Sequence, residues 1–195
     1  MKEEILRKSV HLSSLAYPII YFLFLTKMEM ILLISAITLF VILGDLVRVK
    51  SKWLNNIFHI ILRDGEKNGG LSGATFFMMG TLLTVLIFNK NIAILSLFIL
   101  VISDTSAAIF GKMIKSKKIL GDKSLAGSSA FFISSIMITL FAFYIFGWAY
   151  NLIHIIIPCF VTMVAELFAK KIYVDDNILI PITFGLSANL VLFLI

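Results

Sequence analysis

The sequence has a single cysteine, Cys159, so no disulfide framework can form, and its place inside an apolar run marks a buried thiol. Charge is scarce too: 14% of the 195 residues are Asp, Glu, Lys or Arg, against about a quarter in an average soluble domain. A disordered chain needs more charge than this, and a nucleic-acid binder needs basic tracts with interleaved aromatics, which are lacking. There is no Walker A loop, since a glycine would have to precede Lys123, where Asp122 stands. Neither a repeat of about 20–50 residues nor a linker long enough for a second domain is visible, so residues 1–195 read as one domain. The start MKEEILRKSVHLSS carries acids in its charged region and no small-residue cleavage site, so it is expected to stay in the mature protein.

What fills the sequence is apolar: 60% hydrophobic side chains and a mean hydropathy of +1.04. One soluble core cannot hide that much oily surface, so the solvent is lipid. Crossing about 30 Å of hydrocarbon takes about 20 residues, which gives about seven candidate spans at 11–26, 30–47, 71–88, 92–110, 126–146, 150–168 and 178–195. Lys and Arg gather in cytoplasmic loops, and of the 17 here only Lys27 and Lys90 fall in the alternate loops. The expected fold is an all-α integral membrane protein, N-terminus cytoplasmic. Between spans two and three, Trp53, Leu54, Ile57, Phe58, Ile61 and Leu62 oppose Lys52, Asn55, Asn56, His59 and Arg63, with only Ile60 out of place. That stripe reads as an interfacial helix on the inner leaflet or as one packed on neighbouring spans.

Ionisable groups in or beside a span are costly and face a partner, water or a substrate. Here they crowd the inner side, and the net charge of +6 marks faces that meet anionic phosphate. Glu4, Arg7, Lys8 and His11 stack along one helix face. Glu4 and Lys8 read as a solvated cap with snorkelling cations, Arg7 and His11 as cap or site alike. Asp45 and Arg48, three apart, form either part of a site or a self-neutralising clasp; Arg63, Asp64, Glu66 and Lys67 follow, with Gly69, Gly70 and Gly73 as turn or ligand approach.

Asp104 ends the apolar run LSLFILVIS and precedes Thr105, Ser106, Ala107, Ala108 and Gly111. A carboxylate at that depth beside small residues has room for a cation, and magnesium suits hard oxygen ligands; an Asp bonded to a hydroxyl in helix packing is the alternative. The basic loop 112–123 runs into Ser124, Gly127, Ser128 and Ser129 at the start of span five, where backbone N–H groups, serines and Lys123 suit an anion; Ser124 also suits an N-cap. Glu166 and Lys170 are four apart and suited to an ion pair. Asp175, Asp176 and Asn177, with Pro181 beyond, make a turn whose acids call for a cation nearby. Met78 and Met79 read as packing or lipid-facing.

In order along almost the whole chain, these stretches resemble the CTP-dependent polyprenol kinase family, which includes dolichol kinase, phytol kinase and fungal CTP-dependent diacylglycerol kinase. EILRKSVH, with Glu4, Arg7, Lys8 and His11, is similar to that family's opening motif; GGLSGATFFMMG resembles the lead into its third conserved span. SDTSAAIFGK followed by KSLAGS resembles its paired cytidine-nucleotide motif, and ELFAKKIYVDDNILIP its closing signature. Two positions depart: Lys115 stands where many members have a second glycine, and Ala126 where many have Glu.

The resemblance implies transfer of the γ-phosphoryl of CTP to a lipid alcohol entering from the bilayer, at the cytoplasmic face. Magnesium would sit on Asp104 with Asp176 or Glu166, and the nucleotide on Gly111, Lys123, Ser124, Gly127 and Ser128, with added charge from Lys112 and Lys118. His11, Asp45 or Asp176 would take the hydroxyl proton; Arg7, Asp45, Arg48, Glu66, Lys67 and Asn177 would support the site. The expected acceptor is an isoprenoid alcohol such as phytol, geranylgeraniol or a dolichol-type polyprenol, with diacylglycerol as the alternative. A cytidylyltransferase making a CDP-lipid would use the same parts. A small transporter would put polar residues at mid-membrane or on both faces, and a purely structural subunit would not need Asp104.

Overall fold

Backbone in lipid must satisfy its own hydrogen bonds, and the chain does so with helices. The computed structural model describes residues 2–58, 62, 64–67, 69–148 and 151–194, and their side chains except those of 2–6, 64 and 192–194. His59, Ile60, Ile61 and Arg63 lie outside the described residues, as do the side chains of Glu4 and Asp64. In chain order the elements are α1 (Lys2–Ser13), α2 (Ala16–Leu23), α3 (Lys27–Lys50), α4 (Lys52–Phe58), α5 (Asp64–Lys67), α6 (Gly73–Ile87), α7 (Lys90–Phe98), a π-turn (Ile99–Ser103) and α8 (Asp104–Met113). A hairpin of β1 (Lys118–Leu120) and β2 (Lys123–Ser124) follows, then α9 (Leu125–Phe146), α10 (Leu152–Phe168) and α11 (Asp176–Leu194).

Polar residues set the helix starts. Thr26 and Glu29 form a reciprocal capping box on α3, while Ser72, Asn89 and Ser124 accept from the third amide of α6, α7 and α9. Gly147, at φ 65°, closes α9 in the left-handed conformation. Among the described residues three helices are long and apolar enough to cross a membrane: Lys27–Lys50, Lys90–Met113 and Leu125–Phe146. The first expected span, 11–26, is instead broken at Ser14 and Leu15 into α1 and α2.

The Lys90–Met113 helix is the axis of the molecule, with 67% of its apolar window buried against 22% in each of the other two. Residues 92–97 are all buried, and α2, α6, α9 and α11 pack around α7. Outside this ring α3 leans on α6, and α10 lies between α9 and α11. On α4, Trp53, Ile57 and Phe58 are exposed, the apolar face an interfacial helix would turn to lipid. The all-helical expectation gives way at residues 118–124, where β1 and β2 pair antiparallel. Gly121, at φ 56°, makes that turn.

Candidate active site

The π-turn leads directly into Asp104, the first residue of α8. Such a wide turn inserts a residue into the helical ladder and is frequent at functional sites. Beyond Asp104, helices α8 and α9 meet backbone to backbone. A Cβ on Gly111 would lie 3.3 Å from Gly127 Cα, and one on Gly127 would lie 2.9 Å from the Ala107 carbonyl oxygen. Both glycines thus have a packing role beside any nucleotide contact, and their crossing brings Asp104 next to Lys123.

Helix α1 packs against the π-turn and α8 and delivers two side chains one turn apart. Lys8 Nζ lies 2.5 Å from Asp104 Oδ2, and His11 Nε2 lies 3.7 Å from the same oxygen. Phe77 meets the His11 ring edge-on at 5.5 Å. Lys8, expected on a solvated cap, is instead half-buried against Asp104. Nothing local to residue 104 announces a partner 96 positions away.

The expected Glu166–Lys170 pair does not form. Glu166 is 2% exposed and Lys170 points outward, so the buried carboxylate takes Lys123 instead, while Lys170 reaches Asp122 Oδ2 at 2.6 Å. The hairpin lays its Asp122–Lys123 dipeptide along the end of α10, and each residue finds a partner there. Asp122, hydrogen-bonded to Lys170, has a carboxyl below its ordinary range. Burial alone would pull the Lys123 ammonium down, but the Glu166 carboxylate, then Asp176 and Asp104, hold it above the usual lysine value. Asp176 also acts on His11. Thus Lys8, His11, Asp104, Lys123, Glu166 and Asp176, drawn from five parts of the chain, share one electrostatic neighbourhood.

Asp104, Ala107, Ala108, Lys123, Ser128 and Glu166 line a cavity of about 80 Å³. That suits a phosphoryl group and a cation and falls well short of the roughly 300 Å³ or more of a whole-ligand pocket. The amides at the start of α9 are already used: Leu125 N donates to Lys117 O, Ala126 N to Ser116 Oγ and Gly127 N to Ser124 Oγ. Ser124 Oγ also donates to Gly111 O, and Ser128 Oγ to Ser124 O. The expected anion cradle of free amides is therefore filled by the chain itself, with Ser124 as N-cap. Lys112 and Lys118 are exposed and do not line the cavity, and Arg7 is half-buried on α1.

Asp45 and Arg48 form the clasp. Arg48 Nε meets Asp45 Oδ1 at 2.6 Å, and its other nitrogens reach Asn55 Oδ1, Glu66 O and Gly70 O at 2.8, 3.1 and 2.7 Å. Asp45 Oδ2 accepts from Ser72 N and Thr75 Oγ1. Glu66 Oε1 accepts from Gly73 N, Lys67 O from Asn55, and Asp175 Oδ1 from Asn177. Glu66, Lys67 and Asn177 thus fasten loops beside the site.

No three His, Cys, Asp or Glu among the described residues assemble into a group that could hold a metal, so Asp104, Glu166 and Asp176 are not a ready-made triad. Magnesium, however, usually takes one or two protein carboxylates and completes its ligands with phosphate and water. The residues fit that smaller demand, because Glu166 Oε2 is buried without a hydrogen-bond partner among the described residues.

No family model and no solved structure matches the chain. It is 35% identical over 190 residues to the uncharacterized protein RP860 of Rickettsia prowazekii (strain Madrid E), covering 94% of this chain and 92% of that one. It is 31% identical over 99 residues to CTP-dependent diacylglycerol kinase 1 of Schizosaccharomyces pombe, 48% of this chain and 45% of the yeast protein, a distant link. The uncharacterized protein MJ1137 of Methanocaldococcus jannaschii is 30% identical over 125 residues, 64% of this chain and 61% of the other.

Proposed function

We propose that this chain, which belongs to the same family as the Rickettsia prowazekii protein RP860, is a CTP-dependent lipid kinase with a multi-pass topology and a cytoplasmic site. The observation that carries the reading is a cavity of phosphoryl size lined by Asp104, Lys123 and Glu166, with Lys8 paired to Asp104 and Lys123 to Glu166, in a chain distantly similar to a CTP-dependent diacylglycerol kinase.

The transfer breaks the bond between the γ-phosphorus of CTP and its bridging oxygen, forms one from that phosphorus to the lipid alcohol, and releases CDP. Such chemistry needs alignment and charge neutralisation more than covalent help. Lys123 and Lys8 bind the phosphate oxygens, and the Gly111–Gly127 crossing keeps Lys123 in line with Asp104. Asp104 and Glu166 would hold magnesium, which supplies neutralisation of the developing oxygen charge when bound. The nucleoside lies outside the small cavity, toward the exposed Lys112 and Lys118. His11 or Asp176 accepts the alcohol proton; Asp45 is spent in the clasp.

For the acceptor we propose an isoprenoid alcohol. The name of the yeast relative supports diacylglycerol as the second reading. A product assay on purified protein in lipid, with γ-labelled CTP, magnesium, prenols and diacylglycerol, separates them. Label on one alcohol with CDP released is the expected result. Pyrophosphate release with a lipid phosphate would make the protein a cytidylyltransferase, and no reaction with any lipid would remove the kinase.

A further inference from the structure

Lys8 and Lys123 stand on the two carboxylates that the proposed function gives to the cation. The molecule contains a useful contrast: the Asp45–Arg48 clasp uses a planar, forked guanidinium pinned by several acceptors, whereas Asp104 and Glu166 are each met by a flexible ammonium group. An ammonium on a four-carbon stem is a point charge that can change partners; a multiply bonded guanidinium is a fixture.

We infer that Lys8 and Lys123 are exchangeable counter-ions. On loading, they pass from Asp104 and Glu166 to phosphate oxygens, so that divalent cation and polyphosphate enter the site only as a pair. The inference rests on the kinase reading and names how that site is loaded.

The reason is charge balance in a poorly hydrated place. The side chains of Lys8 and Asp104 are 19% and 11% exposed, those of Lys123 and Glu166 22% and 2%. Stranding one member of such a pair is far costlier than keeping it matched. A cation arriving alone on these carboxylates would leave two ammonium groups unmatched; polyphosphate arriving alone on the lysines would leave two carboxylates unmatched. Arriving together, they exchange partners with the protein and no charge is left single. Two carboxylates are also too few ligands for magnesium without phosphate and water to complete its shell. The cavity of about 80 Å³ lined by Asp104, Lys123 and Glu166 gives the exchange its space.

The test uses the purified full chain in nanodiscs, Mn²⁺ as a paramagnetic probe and inorganic tripolyphosphate, which has no base and so does not depend on nucleotide preference. The premixed Mn²⁺–tripolyphosphate complex should bind roughly tenfold or more tightly than either component alone, within the range of ordinary site couplings. Lys8→Met should bind Mn²⁺ alone several-fold more tightly than wild type, since Asp104 is released. Equal binding of the components alone and together would overturn the inference, as would a folded Lys8→Met with unchanged Mn²⁺ affinity. If Lys8→Met does not fold, the wild-type comparison decides by itself. Coupled binding without phosphoryl transfer from CTP would sustain the exchange and remove the kinase; transfer with uncoupled binding would do the reverse.

Discussion

Gly80 lies against the backbone of Asn177: a Cβ on Gly80 would fall 2.2 Å from the Asn177 carbonyl oxygen and 3.1 Å from Ile178 Cα. Here α6 crosses the first turn of α11, and the residue before Asn177 is Asp176, which acts on both Lys123 and His11. The crossing therefore sets where one of the site's carboxylates stands.

Gly80→Ala should push α11 away at its start. Overpacking of this kind costs about 1–3 kcal/mol, and the displacement of Asp176 should reduce phosphoryl transfer more than the loss of folded protein explains. Gly44→Ala on α3 is the control: a Cβ added there would meet nothing within 4 Å, so the change should be neutral or slightly stabilising. Thermal unfolding and transfer rate per folded molecule, measured on both variants, would sink the idea if the two behaved alike.

Asp104→Asn keeps the shape and a hydrogen-bond acceptor for Lys8 while removing the charge. Loss of one electrostatic contact to a transferring group typically costs about 10²–10³ in turnover, and the expected loss here is at least that, with the protein still folded. Wild-type turnover in Asp104→Asn would take this residue out of the chemistry.

Arg48→Ala should behave in the opposite way. Breaking a buried pair by removing one partner costs about 3–5 kcal/mol, and Arg48 also ties α3 to Asn55, Glu66 and Gly70. Stability should fall steeply while transfer per folded molecule changes little. The double variant Asp45→Asn, Arg48→Met should recover part of the stability because no charge is stranded. A specific loss of turnover at full stability would move the pair from clasp to site.

The parts of the molecule legible in the sequence were those with local causes. Apolar runs marked the helices, Ser124 the start of α9, and the depth of Asp104 its difference from other acids. The pairings were not legible, because Lys8 and Asp104 are 96 positions apart, and Lys123 and Glu166 are 43 apart. The i,i+4 rule favoured Lys170 for Glu166, and burial overruled it. Gly80 and the π-turn left no trace either, since both depend on a neighbour or on backbone geometry. Lys27 and Lys90, the two exceptions to the charge pattern, are explained only in three dimensions. Lys27 binds the carbonyls of Leu86 and Phe88 at the end of α6, and Lys90 those of Phe22 and Leu25 at the end of α2, where a cation answers the helix dipole.

The Lys123–Glu166 pair should give the fold an alkaline limit. The folded-state pKa of Lys123 lies above its ordinary value of 10.5. A raised pKa means the folded state holds the proton more tightly, so the stabilisation is complete below 10.5 and fades as pH rises through the folded value. Wild type should therefore exceed Lys123→Met in thermal stability by a constant margin at neutral and mildly alkaline pH, and lose that margin only above 10.5. Lys170→Met provides the comparison, because Lys170 and Asp122 are 72% and 62% exposed and a solvent-screened pair contributes little. Unfolding curves across the alkaline range settle the matter: a Lys123→Met margin that already shrinks near neutral pH would mean that Lys123 is not held by Glu166.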